Sequence, residues 1–130
     1  MDYIDLIGTP FKYGGRSLKD GGLDCYGVVV EMSRRNGQMM PERQFSESLD
    51  MNHALMACQM DEWVECDRGP GAVILIRICK VPCHVGFALD DYQFIHAWEG
   101  SGGVVVERID EWQKRIEGFY RYVGQREGQD

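Results

Sequence analysis

The chain has 130 residues, of which 44% are hydrophobic and 27% are charged, and its net charge at neutral pH is −7. This length suits one domain over residues 1–130, and the composition is that of a globular protein rather than a disordered one. An acidic chain without a basic cluster is poorly suited to bind the phosphates of a nucleic acid or of an anionic membrane. We therefore expect no nucleic-acid partner.

The apolar runs and the cysteines also limit where the chain works. No stretch approaches the roughly 18 apolar residues of a membrane span, so we expect no membrane insertion. The start, MDYIDLIG, has acids where an export signal carries basic residues, which predicts synthesis in the cytoplasm without a signal peptide. The cysteine count of five is odd, which favours reduced thiols over a disulfide framework.

The first half of the chain predicts helices. Residues 2–8 indicate a short helix near the start. The run CYGVVVEMSRR predicts a helix that begins at Cys25 and is closed by Gly37, because its apolar residues recur at helical spacing. A second helical pattern covers residues 48–58. His53 lies within it and is interpreted as a partly exposed helix residue.

The second half predicts strands. Branched and aromatic residues alternate with turn residues, and Asp90 and Asp91 mark a tight turn between two of the strands. The order, helices first and then an antiparallel meander, predicts an α+β fold with the N-terminal helices packed on the sheet. The predicted strands cover residues 72–78, 84–89, 92–97, 104–106 and 118–123, with a short helix over 109–116.

Cys25 is the candidate nucleophile. A cysteine at a helix N-terminus lies where backbone N–H groups point outward and the helix dipole favours negative charge, which predicts a lowered thiol pKa. The same N–H groups can stabilise a tetrahedral oxyanion. The alternative is a small apolar residue that begins a core helix, a common role of cysteine. The glycine-rich turn before Asp24 and Cys25 favours the reactive interpretation.

Two of the three histidines are expected to meet. His84 and His96 lie on the strands that flank the tight turn, so their rings should lie on neighbouring strands about 5 Å apart. A thiol, a base and a group that orients the base form the arrangement of cysteine acyl-transfer enzymes. The residues therefore predict Cys25 as nucleophile, His84 as base and His96 as the group that fixes the tautomer of His84.

The ordered motifs YGG, DCYG, HVGF and IHA resemble those of the NlpC-type cell-wall cysteine peptidases, over residues 6–123. The resemblance implies a papain-like fold and hydrolysis of the bond between D-glutamate and diaminopimelate in peptidoglycan stem peptides, without a cofactor or a metal. The short acidic form is most similar to the tail-associated members of bacteriophages and prophages. That similarity implies a bacterial host, other tail proteins as partners and a place in the virion tail.

The resemblance also implies roles for single residues. Cys25, His84 and His96 match the nucleophile, the base and the third polar residue of the family. Tyr13 matches a tyrosine whose hydroxyl lies by the nucleophile and helps to hold the oxyanion. Asp24 matches the acid that receives the amino end of the substrate, and a helix N-cap is its alternative role.

Three further residues are candidates for the rim of the cleft, namely Arg16, Tyr26 and Trp98. A solvated arginine and a packed tryptophan are equally consistent with the sequence. Tyr26 departs from the family, which usually has serine after the nucleophile, and it reshapes the space beside Cys25. Ala72 stands where the family has an acid in the first sheet strand, which removes a structural polar contact.

Two alternatives belong to other functional classes. The chain could be a structural tail-assembly protein that has kept the fold and lost turnover. It could also be a zinc-binding interaction module with Cys79, Cys83, His84 and His96 as ligands. The zinc interpretation is disfavoured because a second cysteine pair at the usual spacing is missing and a buried strand is predicted to hold Cys79.

Overall fold

The computed structural model describes residues 2–41 and 60–124 and shows an α+β fold. The helical pattern predicted over residues 48–58, with His53, lies outside the described residues. Within the described ranges, no helix is long and apolar enough to cross a membrane. The α-helix α1 spans Cys25–Arg35, and short 3-10 helices span Ile4–Leu6, Leu18–Asp20, Met60–Glu62, Glu99–Ser101 and Ile109–Arg115. The strands are β1 Trp63–Glu65, β2 Val73–Ile78, β3 Val81–Ala88, β4 Gln93–Trp98, β5 Gly103–Arg108 and β6 Ile116–Tyr122.

The six strands form one antiparallel sheet in the order β1-β6-β2-β3-β4-β5. Strands β2 to β5 follow one another as the predicted meander. The last strand does not continue it, because β6 returns to the opposite side of β2, where Ile74 pairs with Phe119. The short strand β1, which the sequence did not predict, pairs with the outer side of β6. The 3-10 helix Ile109–Arg115 makes this return possible by crossing one face of the sheet.

Each face of the sheet carries its own apolar cluster, since side chains of a strand alternate between the faces. Helix α1 covers one face and the 3-10 helix Ile109–Arg115 covers the other. The helix-side cluster includes Val28, Val29, Met32, Val73, Val85, Phe87, Ile95, Ala97 and Val104. The opposite cluster contains Ala72, Ile74, Ile76, Ala88, Phe94, Ile109 and Trp112.

Helix α1 begins and ends where the sequence predicted. The Asp24 carboxylate accepts a hydrogen bond from the Gly27 N–H at 2.8 Å and caps the N-terminus. Asn36 is the C-cap residue, and Gly37 follows with a φ of +85°. Such a left-handed residue is typical of the position after a helix end, where glycine avoids the steric cost of a side chain.

The glycine-rich turn packs directly against the first turn of α1. A Cβ atom on Gly27 would lie 2.0 Å from the Gly15 carbonyl oxygen, far inside van der Waals contact. Glycine at position 27 therefore lets the turn and the helix approach backbone to backbone. This contact fixes the first turn of the helix, and with it Cys25, relative to the preceding turn.

The prediction that Cys79 lies in a buried strand is wrong. Strand β2 ends at Ile78, and Cys79 is exposed in the turn that joins β2 to β3. Cys79 and Lys80 have φ values of 51° and 69°, so both adopt the left-handed conformation that suits a two-residue hairpin. Cys83 lies farther along β3 and is buried.

Candidate active site

Cys25 is the first residue of α1, and only 8% of its surface is exposed. Backbone N–H groups of Val85 and Tyr26 hydrogen-bond to its sulfur. The Val85 N–H belongs to the peptide unit that joins Val85 to His84. The fold therefore places the sulfur next to the backbone of the residue predicted to be the base.

The direction of the Val85 N–H follows from the alternation along β3. The N–H of Ala88 donates to the carbonyl of Ala72, on the side of β3 where β2 lies. The N–H of the next residue, Leu89, donates to the carbonyl of Gln93, the first residue of β4. Odd-numbered N–H groups of β3 thus point towards β4. The ladder between β3 and β4 consists of Phe87 with Ile95 and Ala88 with its partner Phe94. Val85 lies before these two pairs along β3. Its N–H is therefore outside the β3–β4 ladder and can donate to the sulfur of Cys25.

The prediction of a lowered thiol pKa at Cys25 is wrong. The pKa of Cys25 is raised to about 12, chiefly by burial and next by the neighbouring carboxylate of Asp24, which repels a thiolate. The N–H groups of Val85 and Tyr26 act in the opposite direction without reversing the shift. The field of the helix N-terminus is therefore outweighed by burial and by the residue that caps the helix. At neutral pH Cys25 is a thiol.

His84 on β3 and His96 on β4 meet as the tight turn predicted. Nε2 of His84 lies 2.8 Å from Nδ1 of His96, and both rings are buried. A Cβ atom on Gly86 would lie 2.7 Å from the Phe94 ring and 3.4 Å from Cβ of His96, so the glycine of the HVGF motif leaves room for these rings. The space beside β4 is thus shaped by a residue that has no side chain.

Both histidines are neutral at neutral pH. Burial lowers the pKa of His84 well below its ordinary value, and the adjacent His96 lowers it further. Burial lowers the pKa of His96 to about 3. Transfer of a charge into such an enclosed site costs more than protonation gains. Each ring therefore carries one proton, on one of its two nitrogens.

Glu107 contacts the far side of His96 and was missed in the sequence. Its Oε2 lies 2.7 Å from Nε2 of His96. Phe94 pairs with Glu107 and His96 with Val105 across β4 and β5, so Glu107 and His96 lie on the same face of the sheet. The signal was a lone acid in the strand VVVE, at a position that strand alternation places beside a candidate catalytic ring.

Asp24 acts as the helix N-cap, one of its two predicted roles. Its Oδ1 accepts hydrogen bonds from the Gly27 N–H at 2.8 Å and from the Arg16 guanidinium at 2.6 Å. Its Oδ2 accepts one from the Gly14 N–H at 2.9 Å. The carboxylate is buried, and a guanidinium pairs with it where the resemblance implied a substrate amine.

Tyr13 lies at the surface of this region. Its side chain is 37% exposed, and its hydroxyl donates a hydrogen bond to Oε2 of Glu99 at 2.9 Å. Glu99 follows β4 in the 3-10 helix Glu99–Ser101. The contact joins the glycine-rich turn to the end of the strand that carries His96, across 86 residues of sequence.

The three rim candidates are largely enclosed. The Arg16 side chain is 13% exposed, and its guanidinium lies over the Tyr26 ring at 5.2 Å. Tyr26 is buried and donates its hydroxyl to the Pro41 carbonyl at 2.6 Å, so this departure from the family serves the core beside Cys25. Trp98 stacks on His96 with ring planes 13° apart, which favours the packed interpretation.

Ala72, the second departure from the family, is buried in the cluster beneath the 3-10 helix Ile109–Arg115, where an acid would need a partner.

The zinc interpretation needs its proposed ligands to lie together. Among residues 2–41 and 60–124, no group of three or more His, Cys, Asp or Glu side chains is placed to hold a metal ion. The proposed zinc ligands divide between an exposed turn at Cys79 and the buried interior at His96.

The model of the NlpC/P60 family matches residues 8–121. The chain is 28% identical over 115 residues to the murein DD-endopeptidase MepS/murein LD-carboxypeptidase of Escherichia coli (strain K12). It is 29% identical over 113 residues to the probable endopeptidase NlpC of the same organism.

These alignments cover most of this chain and only part of each relative. They include 87% of the chain and 55% of the murein DD-endopeptidase, and 84% of the chain and 66% of the probable endopeptidase NlpC. The chain thus spans about half the length of the first of these relatives. Residues 8–121, which the family model matches, contain the whole arrangement described above, from Tyr13 to Glu107.

Proposed function

Because the chain belongs to the NlpC/P60 family, we propose that it is a cysteine peptidase that hydrolyses an amide bond in the stem peptides of peptidoglycan. The similarity to a murein endopeptidase supports the substrate class. The observation that carries the chemistry is the sulfur of Cys25 beside the His84 backbone, with His84 hydrogen-bonded to His96. A buried thiol beside the backbone of a histidine whose ring is hydrogen-bonded to a second buried imidazole supports thiol acyl transfer.

The reaction begins from two neutral groups. As the sulfur of Cys25 attacks the amide carbon, its proton moves to Nδ1 of His84 and a C–S bond forms. The electron pair of the carbonyl moves to oxygen, which becomes an oxyanion. The backbone N–H of Cys25 is the proposed donor to this oxyanion. The hydroxyl of Tyr13 can act as a second donor only when it leaves Glu99, to which it donates at 2.9 Å in the free chain. Loss of one such donor costs roughly a hundredfold or more in rate.

The second half returns the enzyme to its starting state. The oxyanion collapses, the C–N bond breaks, and His84 gives its proton to the leaving amine. Water then attacks the thioester while His84 takes one of its protons. Collapse of the second tetrahedral intermediate releases the carboxylic acid, and the sulfur recovers its proton from His84. General acid–base catalysis of this kind contributes about 10² to 10⁴ in rate.

The raised pKa at Cys25 and the lowered pKa at His84 decide the form of this mechanism. A resting thiolate–imidazolium pair would need a thiol pKa below the imidazole pKa, and burial shifts both groups the other way. The proton is therefore transferred during the attack.

We propose the D-glutamate–diaminopimelate amide as the bond that is cut, with DD-peptide cleavage as the competing specificity suggested by the relative's name. Arg16 bears on this choice because it pairs with Asp24 at 2.6 Å. A carboxylate already neutralised by a guanidinium binds an amine weakly. We therefore expect stem peptides with free and with acetylated amino ends to be cleaved at similar rates.

The setting of the reaction is also part of the proposal. We propose that the chain is made in the bacterial cytoplasm and associates with other proteins of a phage tail, on the similarity of its motifs to the tail-associated members of the family. A catalytically silent tail-assembly protein is the competing function. It is disfavoured because His84, His96 and the Glu107 carboxylate form consecutive hydrogen bonds suited to proton transfer, in a fold that keeps the sulfur of Cys25 beside the His84 backbone.

Mass spectrometry of purified muropeptides after digestion with the chain tests this proposal. The expected products end in a new D-glutamate carboxyl group and begin with a new diaminopimelate amine. Products cut at a D-alanine instead would support the peptidase and overturn the assigned bond. Intact muropeptides at enzyme-to-substrate ratios near one would favour the silent tail protein. The acetylated and free stem peptides serve as paired substrates in the same experiment.

A further inference from the structure

We propose that Glu107 is a positioning residue, whose carboxylate selects through His96 the tautomer of His84 that can accept the proton of Cys25. The inference rests on the proposed function and deepens it. It is carried by two consecutive hydrogen bonds, from His84 Nε2 to His96 Nδ1 at 2.8 Å and from His96 Nε2 to Glu107 Oε2 at 2.7 Å.

The positions of the protons follow from the end of this chain of hydrogen bonds. An ionised carboxylate only accepts hydrogen bonds, so Nε2 of His96 must carry a proton and donate it to Glu107. A neutral imidazole has a single proton, which leaves Nδ1 of His96 as an acceptor. Nε2 of His84 therefore donates to His96, and Nδ1 of His84 is left with a lone pair. That lone pair is what a general base requires.

The opposite arrangement would disable the base. If Nδ1 of His96 carried the proton, its bare Nε2 would present a lone pair to the Glu107 carboxylate at 2.7 Å, and the two would repel each other. His84 would then accept at Nε2 and carry its own proton on Nδ1. In that form His84 is a donor and cannot take the proton of Cys25. Glu107 disfavours this form by charge alone.

Burial strengthens the coupling between the two ends. His96 is fully enclosed, with its ring against Phe94, Trp98 and Trp112. The side chain of Glu107 is one-third exposed, so a carboxylate at the surface is linked to the base through a neutral buried ring. When His84 becomes an imidazolium during the attack, the same negative charge stabilises it in a medium of low polarity.

Two variants of Glu107 and one matched control test the inference. In Glu107→Gln the amide can either accept from His96 or donate to it, and in Glu107→Ala the acceptor is removed. Glu117→Gln is the control, because Glu117 is a carboxylate on β6 that pairs at the surface with Arg77. Nitrogen-15 NMR of the histidine rings reports which ring nitrogen carries the proton, and muropeptide cleavage reports kcat and KM.

The unmodified chain is expected to hold His84 with its proton on Nε2. Glu107→Ala should give a mixture of tautomers and a kcat lower by roughly tenfold to a hundredfold, with KM little changed, since the loss falls on proton transfer. Glu107→Gln should give a smaller change in the same direction. Glu117→Gln should leave both readouts as they are.

An unchanged His84 tautomer together with an unchanged kcat in Glu107→Gln would overturn the inference. The near-isosteric glutamine keeps this outcome measurable even where the alanine variant does not fold. A purely structural role would reduce the folded fraction without moving the tautomer or kcat per folded molecule. If the Glu107 variants shift the His84 tautomer but the unmodified chain cleaves no muropeptide, the effect of Glu107 on the tautomer is supported and the peptidase proposal is overturned. Failure of the inference and failure of the proposed function are therefore distinct outcomes.

Discussion

The two halves of the candidate site are held in different ways. On the helix side, Cys25 is fixed by its immediate neighbours, through the Asp24 cap and the contact between Gly15 and Gly27. On the sheet side, His84, His96 and Glu107 come from three different strands and meet through cross-strand register. The nucleophile is thus positioned by local structure, and the base by long-range pairing.

The same two halves share one electrostatic property. Burial raises the pKa of the Cys25 thiol and lowers the pKa of both histidines, so the thiol and the two imidazoles are uncharged at neutral pH. A helix N-terminus alone does not create a thiolate when the sulfur is enclosed beside a carboxylate. The comparison teaches that activation here depends on the sheet side, where a proton acceptor is oriented.

Thiol labelling gives the largest expected difference. With a pKa of about 12, Cys25 is a thiolate in about one molecule in 10⁵ at neutral pH, and it is also buried. Cys79 is exposed in the β2–β3 turn. Brief iodoacetamide treatment followed by peptide mapping should therefore find Cys79 alkylated before Cys25. Alkylation of Cys25 ahead of Cys79 would mean that Cys25 is a thiolate in the free chain. The reacting group of the helix side would then be charged, whereas the histidines of the sheet side are neutral.

Substitution of Gly27 tests the local fixation of the helix side. In Gly27→Ala the new methyl group would meet the Gly15 carbonyl oxygen at 2.0 Å, so backbone must move and the free energy of unfolding should fall by about 1–3 kcal/mol or more. Gly69→Ala is the control, because its Cβ would meet only a carboxylate oxygen at 3.7 Å. Urea unfolding measures both. Equal stability of the two variants would contradict the close approach.

Acid sensitivity tests the sheet side. The unfolded chain binds protons at His84 and His96 below about pH 6.5, while the folded chain resists them because both pKa values are lowered. The contribution of the two histidines to the free energy of unfolding should therefore be fully present above that pH. It should fall as the pH decreases, by about 1.4 kcal/mol per pH unit for each histidine. His96→Gln should remove about half of this contribution. Parallel pH dependences for the variant and the unmodified chain would show that His96 is not held neutral.

The elements that could be predicted from the sequence are those with local signals. The Asp24 cap and Gly37 mark the ends of α1, and the tight turn at Asp90 brings β3 and β4 together. The α+β class follows from these elements in order. The pairing of His84 with His96 was predictable for the same reason, since one short turn separates their strands.

The features that were missed depend on tertiary structure. Nothing near β6 indicates that it returns beside β2, because that pairing follows from the packing of Ile109 and Trp112 across the sheet. The turn at Cys79 lacks the glycine or asparagine that usually marks left-handed residues. The pKa of Cys25 could not be predicted from its position in the helix, because burial and the orientation of the Asp24 carboxylate appear only in the folded chain.

The most direct test of the account compares muropeptide cleavage by the unmodified chain, by Cys25→Ala and by Cys79→Ala. Removal of the nucleophile should abolish acyl transfer, so we expect Cys25→Ala to keep its fold and to lose cleavage down to the background rate. Cys79→Ala, which removes the exposed thiol, should cleave at the rate of the unmodified chain. Undiminished cleavage by Cys25→Ala would contradict the account at its centre.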